Sequence, residues 1–238
     1  MKNNRINEIY QELYKCFGAQ NWWPIVVNGA SVYAKDYDTI NRNADDAFEI
    51  SIGTILTQNT AWKNSEKAII NMKTENLLSI EALDSMDVNK LAEVIKPSGY
   101  YNQKAKKIKA FISYIRKELN NNLFSLKDKP LYEARESLLS VWGLGRETAD
   151  SILLYALGMP IFVVDAYTVR FLSRLGIIES KVGYEYIQKI FQDNLPNDAK
   201  IYQEYHALIV RLGKNICRKQ PVCAECMLNN ICPFSASS

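Results

Sequence analysis

Residues 139–157 read LSVWGLGRETADSILLYAL. Gly143 and Gly145 flank a single leucine, and an apolar run with helical spacing follows them. Glycine lets a backbone approach a partner closely, and the N–H groups at a helix start attract an anion. Leu144 can anchor such a turn in a core. With YEARESLLSVW before it and TADSILLYAL after it, the stretch reads as a hairpin of two helices. Backbone amides placed this way can grip a DNA phosphate whatever the base sequence. An ordinary helix–helix turn follows the same local rules, so the hairpin needs support from the rest of the chain.

That support begins with the flanking pattern. RINEIYQELYKCF, DAFEISIGTILTQ, WKNSEKAIINMK, NKLAEVIK, KAKKIKAFISYIRKEL, AYTVRFLSRLG, GYEYIQKIFQDNL and YQEYHALIVRLGKNIC all place apolar residues at i, i+3, i+4 spacing. IFVVD is the only β-like run that the pattern offers. The expected fold class is all-α, with about ten helices, and the last six residues, PFSASS, read as a frayed tail.

The 238 residues are 47% hydrophobic, enough for one large domain or two small ones. Lys and Arg number 29 against 26 Asp and Glu, an excess that permits nucleic-acid binding without arguing for it. The N-terminus reads as an amphipathic helix and not as a signal peptide. The apolar runs are broken by Gly and Pro and are too short to span a bilayer. A soluble, cytoplasmic protein is expected, one in which thiols stay reduced.

Cys217, Cys223, Cys226 and Cys232 form the pattern C-x5-C-x2-C-x5-C in CRKQPVCAECMLNNIC. Four thiolates this close can wrap one metal centre, and the spacing suits a zinc ion or an iron–sulfur cluster equally. Cys16 falls on an apolar face and is expected in the core. Asp165, directly before the helical run AYTVRFL, has the place of an N-cap. A carboxylate at a helix start could also stabilise a positively charged sugar.

The hairpin, the aspartate about twenty residues on and the four C-terminal cysteines, in that order, resemble the helix-hairpin-helix DNA glycosylases of the endonuclease III superfamily. The likeness runs from about Phe48 to Cys232. It implies two helical lobes with DNA bound across the cleft between them. A six-helix lobe with the hairpin would span residues 41–157. Residues 1–40 and 158–238 would form a cluster lobe from both termini. It also implies a 4Fe-4S cluster on the four cysteines, although the first spacing is one residue shorter than the family's usual pattern. Arg218 and Lys219 would then lie near phosphate.

The resemblance assigns further residues. Gly143, Gly145 and Arg146 would hold DNA at the hairpin. Gln58, in TILTQNT, would enter the space left by an extruded base, and Tyr100, in SGYYNQKAKKI, would wedge into the duplex. Lys104, in the basic run after it, would meet phosphate. Asp165 would be the catalytic carboxylate, and His206 is expected to be structural. Bifunctional members carry a lysine two residues after the last hairpin glycine, an amine that attacks the sugar. Here that residue is Glu147, so the resemblance implies a glycosylase without lyase activity.

Within the superfamily, NWWP, LTQNT, PSGYYNQKAKK, GRETADSILLYAL and VVD look most like the bacterial 3-methyladenine DNA glycosylase III group. Alkylated purines, chiefly 3-methyladenine, are the implied substrates, taken from damaged double-stranded DNA by a monomer. Methylation makes the base cationic and weakens its glycosidic bond. Electron-rich aromatics select such a ring by cation–π attraction, about 0.5–2 kcal/mol each. Trp22 and Trp23 are the expected walls of the base pocket, with Phe48 beside them.

Overall fold

The computed structural model describes residues 4–33, 42–179 and 182–235. Eleven α-helices and one two-stranded ribbon are present among them. The helices are α1 (Asn4–Phe17), α2 (Ala44–Thr57), α3 (Trp62–Thr74), α4 (Ile80–Ser85), α5 (Val88–Val94) and α6 (Tyr101–Glu118), followed by α7 (Leu131–Leu139), α8 (Arg146–Ser151), α9 (Ala166–Arg174), α10 (Tyr184–Asn194) and α11 (Ala199–Asn215). The all-α expectation holds. The helix not foreseen is α4, six residues long and started by the Ser79 side chain, which accepts from Ala82 N–H at 3.2 Å.

The chain divides into two compact units, Met1–Trp22 with Pro160–Ser238, and Trp23–Met159. The boundary expected at 40/41 lies outside the described residues; the division falls at Trp22/Trp23 instead. A short ribbon explains why. Strands β1 (Ile25–Val27) and β2 (Ala30–Val32) pair antiparallel around Asn28 and Gly29, at φ 50° and 78°. An Asn-Gly pair suits this tight turn because both residues take positive φ. Val26 N–H donates to Glu49 of α2 at 2.6 Å, which ties the ribbon into the Trp23–Met159 unit.

The core of that unit is α2, buried without a break from Ala47 to Leu56. A helix that is largely apolar around its circumference must be enclosed, and α2 packs against α3, α6 and the helix that follows the hairpin. The latter runs through α8 into one π-helical stretch, Ile152–Ala156, all buried. Gly158 at φ 66° ends it, and Met159 N–H reaches back to Leu153 O at 2.9 Å.

The other unit packs α1, α9, α10 and α11 around an aromatic cluster. Phe162 stacks on Phe191 at 3.8 Å between ring centres, with Tyr202 and Tyr205 edge-on. The β-like run Ile161–Val164 is buried but pairs with no strand. Side chains satisfy its backbone: Phe162 N–H donates to Gln192, Gln188 donates to Phe162 O, and Val164 N–H donates to the Tyr184 hydroxyl. The stretch therefore acts as a strap delivering Asp165 to the start of α9. Cys16 is exposed, contrary to expectation. The buried stripe of α1 runs Ile6, Ile9, Leu13, and Cys16 lies off it in the last turn. The start of the expected tail is tied down, because Phe234 stacks on Arg174 and Ser235 bonds Asn229 O at 2.8 Å. Residues 236–238 lie outside the described residues.

Candidate nucleic-acid and base-excision site

At the hairpin, Gly143 sits at φ 87° and Gly145 is extended and exposed, capping α8 without a side-chain bond. A Cβ added at Gly145 would meet nothing within 4 Å. Glycine there is demanded neither by φ nor by packing, which suits a close approach by something outside the chain. Leu144 is buried, as its anchoring role requires. Arg146 and Glu147 are exposed at the first turn of α8. Asp150, fully buried, takes a two-bond clasp from Arg135 of α7 at 2.6 and 3.2 Å, which locks the two hairpin helices together.

Gln58 caps α2 and faces the hairpin: its amide nitrogen donates to Gly143 O at 3.3 Å and to the Thr148 hydroxyl at 2.9 Å. Lys107 of α6 donates to its amide oxygen. Tyr100 is 72% exposed and in the left-handed region at φ 48°, directly after Gly99 at φ 67°. A bulky residue held there carries backbone strain, a frequent mark of a functional position. Lys104 is different from its expected role. It is 2% exposed, and its ammonium donates to Leu56 O and Ser98 O at 2.7 Å each. It braces the end of α2 against the Tyr100 turn and cannot meet phosphate. Lys106, on the same helix, is exposed.

In the other unit, Asp165 caps α9: its Oδ1 accepts from Thr168 N–H at 2.7 Å and from the Thr168 hydroxyl at 2.9 Å. Its Oδ2 lies 3.7 Å from His206 Nε2. Burial raises the Asp165 pKa, but the nearby His206 imidazole and the two Thr168 bonds outweigh it, so the carboxyl sits below its ordinary value. Asp165 is thus held ionised. Lys214 of α11 is exposed in part and lies over the Trp22 ring at 6.0 Å. The burial that remains lowers its pKa, against the opposing pull of Asp165.

The loop before Trp22 is fixed by α11. Glu204 accepts from Gln20 N–H and from Asn21 N–H, the latter at 3.4 Å, and Arg211 donates to Phe17 O at 3.1 Å. Trp22 is half-buried. Trp23 is 6% exposed and packs edge-on against Trp62 and tilted against Tyr155; Phe48 is 7% exposed in the same unit. Sequence reading missed the roles of His206 and Lys214, since no local pattern ties either to Asp165.

Cys217, Cys223, Cys226 and Cys232 line one cavity together with Arg174. Arg174 donates to Cys217 Sγ at 3.2 Å and to Arg218 O at 2.6 Å, and Arg170 donates to Cys217 O at 2.9 Å. Burial, and then the neighbouring thiols, raise the Cys226 pKa although a Leu228 N–H bond opposes them. Among the described residues no three His, Cys, Asp or Glu side chains are arranged to hold a single metal ion. Four thiols around one cavity, with a guanidinium directed at one sulfur, are a donor set that fits an anionic iron–sulfur cluster.

A helical hairpin with an open glycine turn, in a fold that is almost all helix among the described residues, with an ionised aspartate at a helix start, defines the helix-hairpin-helix class of DNA-repair enzyme. The comparisons agree: residues 52–197 match the HhH-GPD superfamily base excision DNA repair protein family, and the chain belongs to it. Over 236 residues it is 45% identical to a Methanocaldococcus jannaschii protein that bears the name of a DNA repair glycosylase, covering 98% of this chain and 99% of the relative. It is 30% identical to the endonuclease III of Thermotoga maritima, over 82% of this chain and 86% of that one. Among solved structures, an endonuclease III trapped as a covalent intermediate with DNA superposes with a TM-score of 0.77 over 100% of this chain and 98% of that one, at 19% identity, a likeness of fold. The H. pylori 3-methyladenine DNA glycosylase bound to 1,N6-ethenoadenine superposes with a TM-score of 0.70, at 28% identity, over 88% of this chain and 97% of that one. This chain is therefore a DNA glycosylase of base excision repair, with DNA as its partner.

Proposed function

We propose that this chain is a monofunctional glycosylase that releases alkylated purines, chiefly 3-methyladenine, from double-stranded DNA and leaves an abasic site. The observation that carries the reading is a pair of carboxylates. Asp165 is held ionised at the start of α9, and Glu147 stands exposed where a strand-cleaving member needs an amine. A carboxylate cannot form a Schiff base, so water attacks the sugar carbon. Asp165 stabilises the developing positive charge and orients that water, a contribution of roughly 10²–10³-fold in rate. Gly143, Gly145 and Arg146 hold the phosphate, and Tyr100 wedges into the duplex. Trp22 stacks the extruded base, whose unstacking costs a few kcal/mol.

The substrate assignment is supported by the likeness to the H. pylori enzyme and by Trp22, which is only half-buried, unlike Trp23. The cysteines would hold a 4Fe-4S cluster that keeps the C-terminal loop folded. The enzyme acts as a cytoplasmic monomer. The likeness to endonuclease III favours a second reading, release of an oxidised or mismatched base.

A panel of damaged duplexes, assayed without heat or alkali, separates these readings. Free 3-methyladenine with an uncut strand is the expected result. Release of oxidised pyrimidine alone would transfer the chain to the second reading, and a borohydride-trapped protein–DNA adduct would end the monofunctional one.

A further inference from the structure

Trp142 stands directly before the first hairpin glycine and is 58% exposed, although tryptophan is highly buried on average. Its place in the turn explains this. Leu144 N–H donates to Val141 O at 3.1 Å, and Gly143 takes φ 87° at the third position of the turn that this bond closes. That is the type II pattern, with Trp142 at the second position. Val141 and Leu144, at the two ends of the turn, are buried and fill its core side. The space that Gly143 leaves open is taken by the Lys107 stem, since a Cβ there would lie 2.4 Å from Lys107 Cγ. The corner residue is left facing outward.

The turn itself does not ask for a tryptophan. A type II turn favours proline at this corner, which pre-sets the backbone and exposes little apolar surface. Tryptophan is instead a residue of contact surfaces, where its large ring anchors a partner. Gly145 and Arg146, three and four residues on, are exposed as well. The ring therefore continues a surface that offers open backbone and a fixed positive charge, which suits a polyanion. We propose that Trp142 is a further DNA-binding residue, its ring laid along the sugar–phosphate backbone of the strand that the hairpin grips. An indole N–H is a donor only, and a phosphate oxygen is a fitting acceptor for it. Bases in an intact duplex are stacked away from such a contact, so it is blind to sequence and to damage. This rests on the reading of the hairpin as a DNA grip.

The test uses the full-length protein with Trp142→Ala, Trp142→Phe and Trp142→Pro, and with Arg146→Ala to probe the hairpin itself. Affinity is measured for two undamaged duplexes of unrelated sequence over a range of salt. Trp142→Ala and Trp142→Pro are expected to weaken both duplexes alike, by roughly three- to tenfold, while Trp142→Phe keeps most of the affinity. Their melting temperatures should stay near that of the unaltered protein. A neutral ring releases no counterion, so the salt dependence should not change, whereas Arg146→Ala should lower its slope by about one. Acrylamide quenching of tryptophan fluorescence should fall when undamaged duplex is added to the unaltered protein, and change much less in Trp142→Phe. Unaltered affinity in Trp142→Ala overturns the proposal. So does Trp142→Pro binding like the unaltered protein, because the turn and not the ring would then be what DNA requires. If Arg146→Ala weakens binding and the Trp142 variants do not, the grip stands and this proposal alone fails; if none of them matters, the hairpin reading falls with it.

Discussion

Asp165 and His206 face each other at 3.7 Å, carboxylate Oδ2 to imidazole Nε2, from the start of α9 and the middle of α11. Both side chains are nearly enclosed, with 12% and 10% exposed. Burial pushes the Asp165 pKa up; His206 and the Thr168 bonds outweigh it and hold the carboxyl below its ordinary value. The linkage has a definite sign. A carboxyl whose folded pKa lies below its ordinary 3.8 adds stability above that value and loses it as pH falls through the folded pKa.

Removing His206 leaves burial less opposed, so the Asp165 pKa rises. In His206→Ala the acid limb of the pH–rate profile for base release should shift upward. Asp165→Asn should behave differently, because Asn is as good an N-cap as Asp. Its melting temperature should stay close to that of the unaltered protein, while base release falls roughly 10²–10³-fold. An Asn variant with full activity would remove Asp165 from the chemistry.

The adjacent tryptophans should separate just as cleanly. Trp23 is enclosed by Trp62, Tyr155 and the space at Gly53, where a Cβ would come within 3.3 Å of the indole nitrogen. Trp23→Ala should cost about 3–5 kcal/mol of stability by opening a cavity. Trp22→Ala should unfold at nearly the original denaturant midpoint and lose affinity for a methylated purine by about 0.5–2 kcal/mol. A reversal of these phenotypes would move the base pocket to the other ring.

What was legible in the sequence follows from the range of the interactions involved. The hairpin, the N-cap at Asp165 and the helix periods are local, and local chemistry dictates them. The Asn28-Gly29 ribbon was equally local, yet its strands are only three residues each and show no long alternation. Ile161–Val164 looked β-like because it is apolar and extended, but a strand needs a partner, and α10 side chains satisfy it first. Lys104 read as a phosphate contact because a basic run gives no sign of which lysine turns inward. His206, Lys214 and the Gln58–Lys107 pair meet their partners only through tertiary packing.

Lys104 gives a stability prediction. Its ammonium supplies hydrogen bonds to two buried carbonyls, and burial, then the charge of Lys107, pull its pKa down to about 8. Lys104→Met should strand Ser98 O, a loss of about 1–3 kcal/mol, while Leu56 O keeps the Ser65 hydroxyl at 3.0 Å. Thermal unfolding should then begin several degrees lower. The pH sign is opposite to that of Asp165. A lysine whose folded pKa is depressed makes the folded state relatively more stable as pH rises from about 8 towards 10.5. The unaltered protein should gain stability over that interval by this group's account, and Lys104→Met should lose the gain.

If the base stacks on Trp22 as proposed, Lys214 should set how well the site accepts a charged base. Its ammonium lies 6.0 Å from the centre of the Trp22 ring, on which the base is proposed to stack. A cationic purine and a protonated lysine there repel each other by about 1 kcal/mol across a partly solvated gap. A neutral lesion such as ethenoadenine feels no such penalty. The folded pKa of Lys214 is already below 10.5, so raising the pH should discharge it early. In the unaltered protein, release of a cationic methylated purine relative to ethenoadenine should therefore climb with pH on the alkaline side of neutrality. Lys214→Gln should show a ratio roughly fivefold higher at neutral pH and no such climb. If the variant instead loses both activities together, Lys214 holds DNA or orders Trp22, and its charge does not set the choice of base.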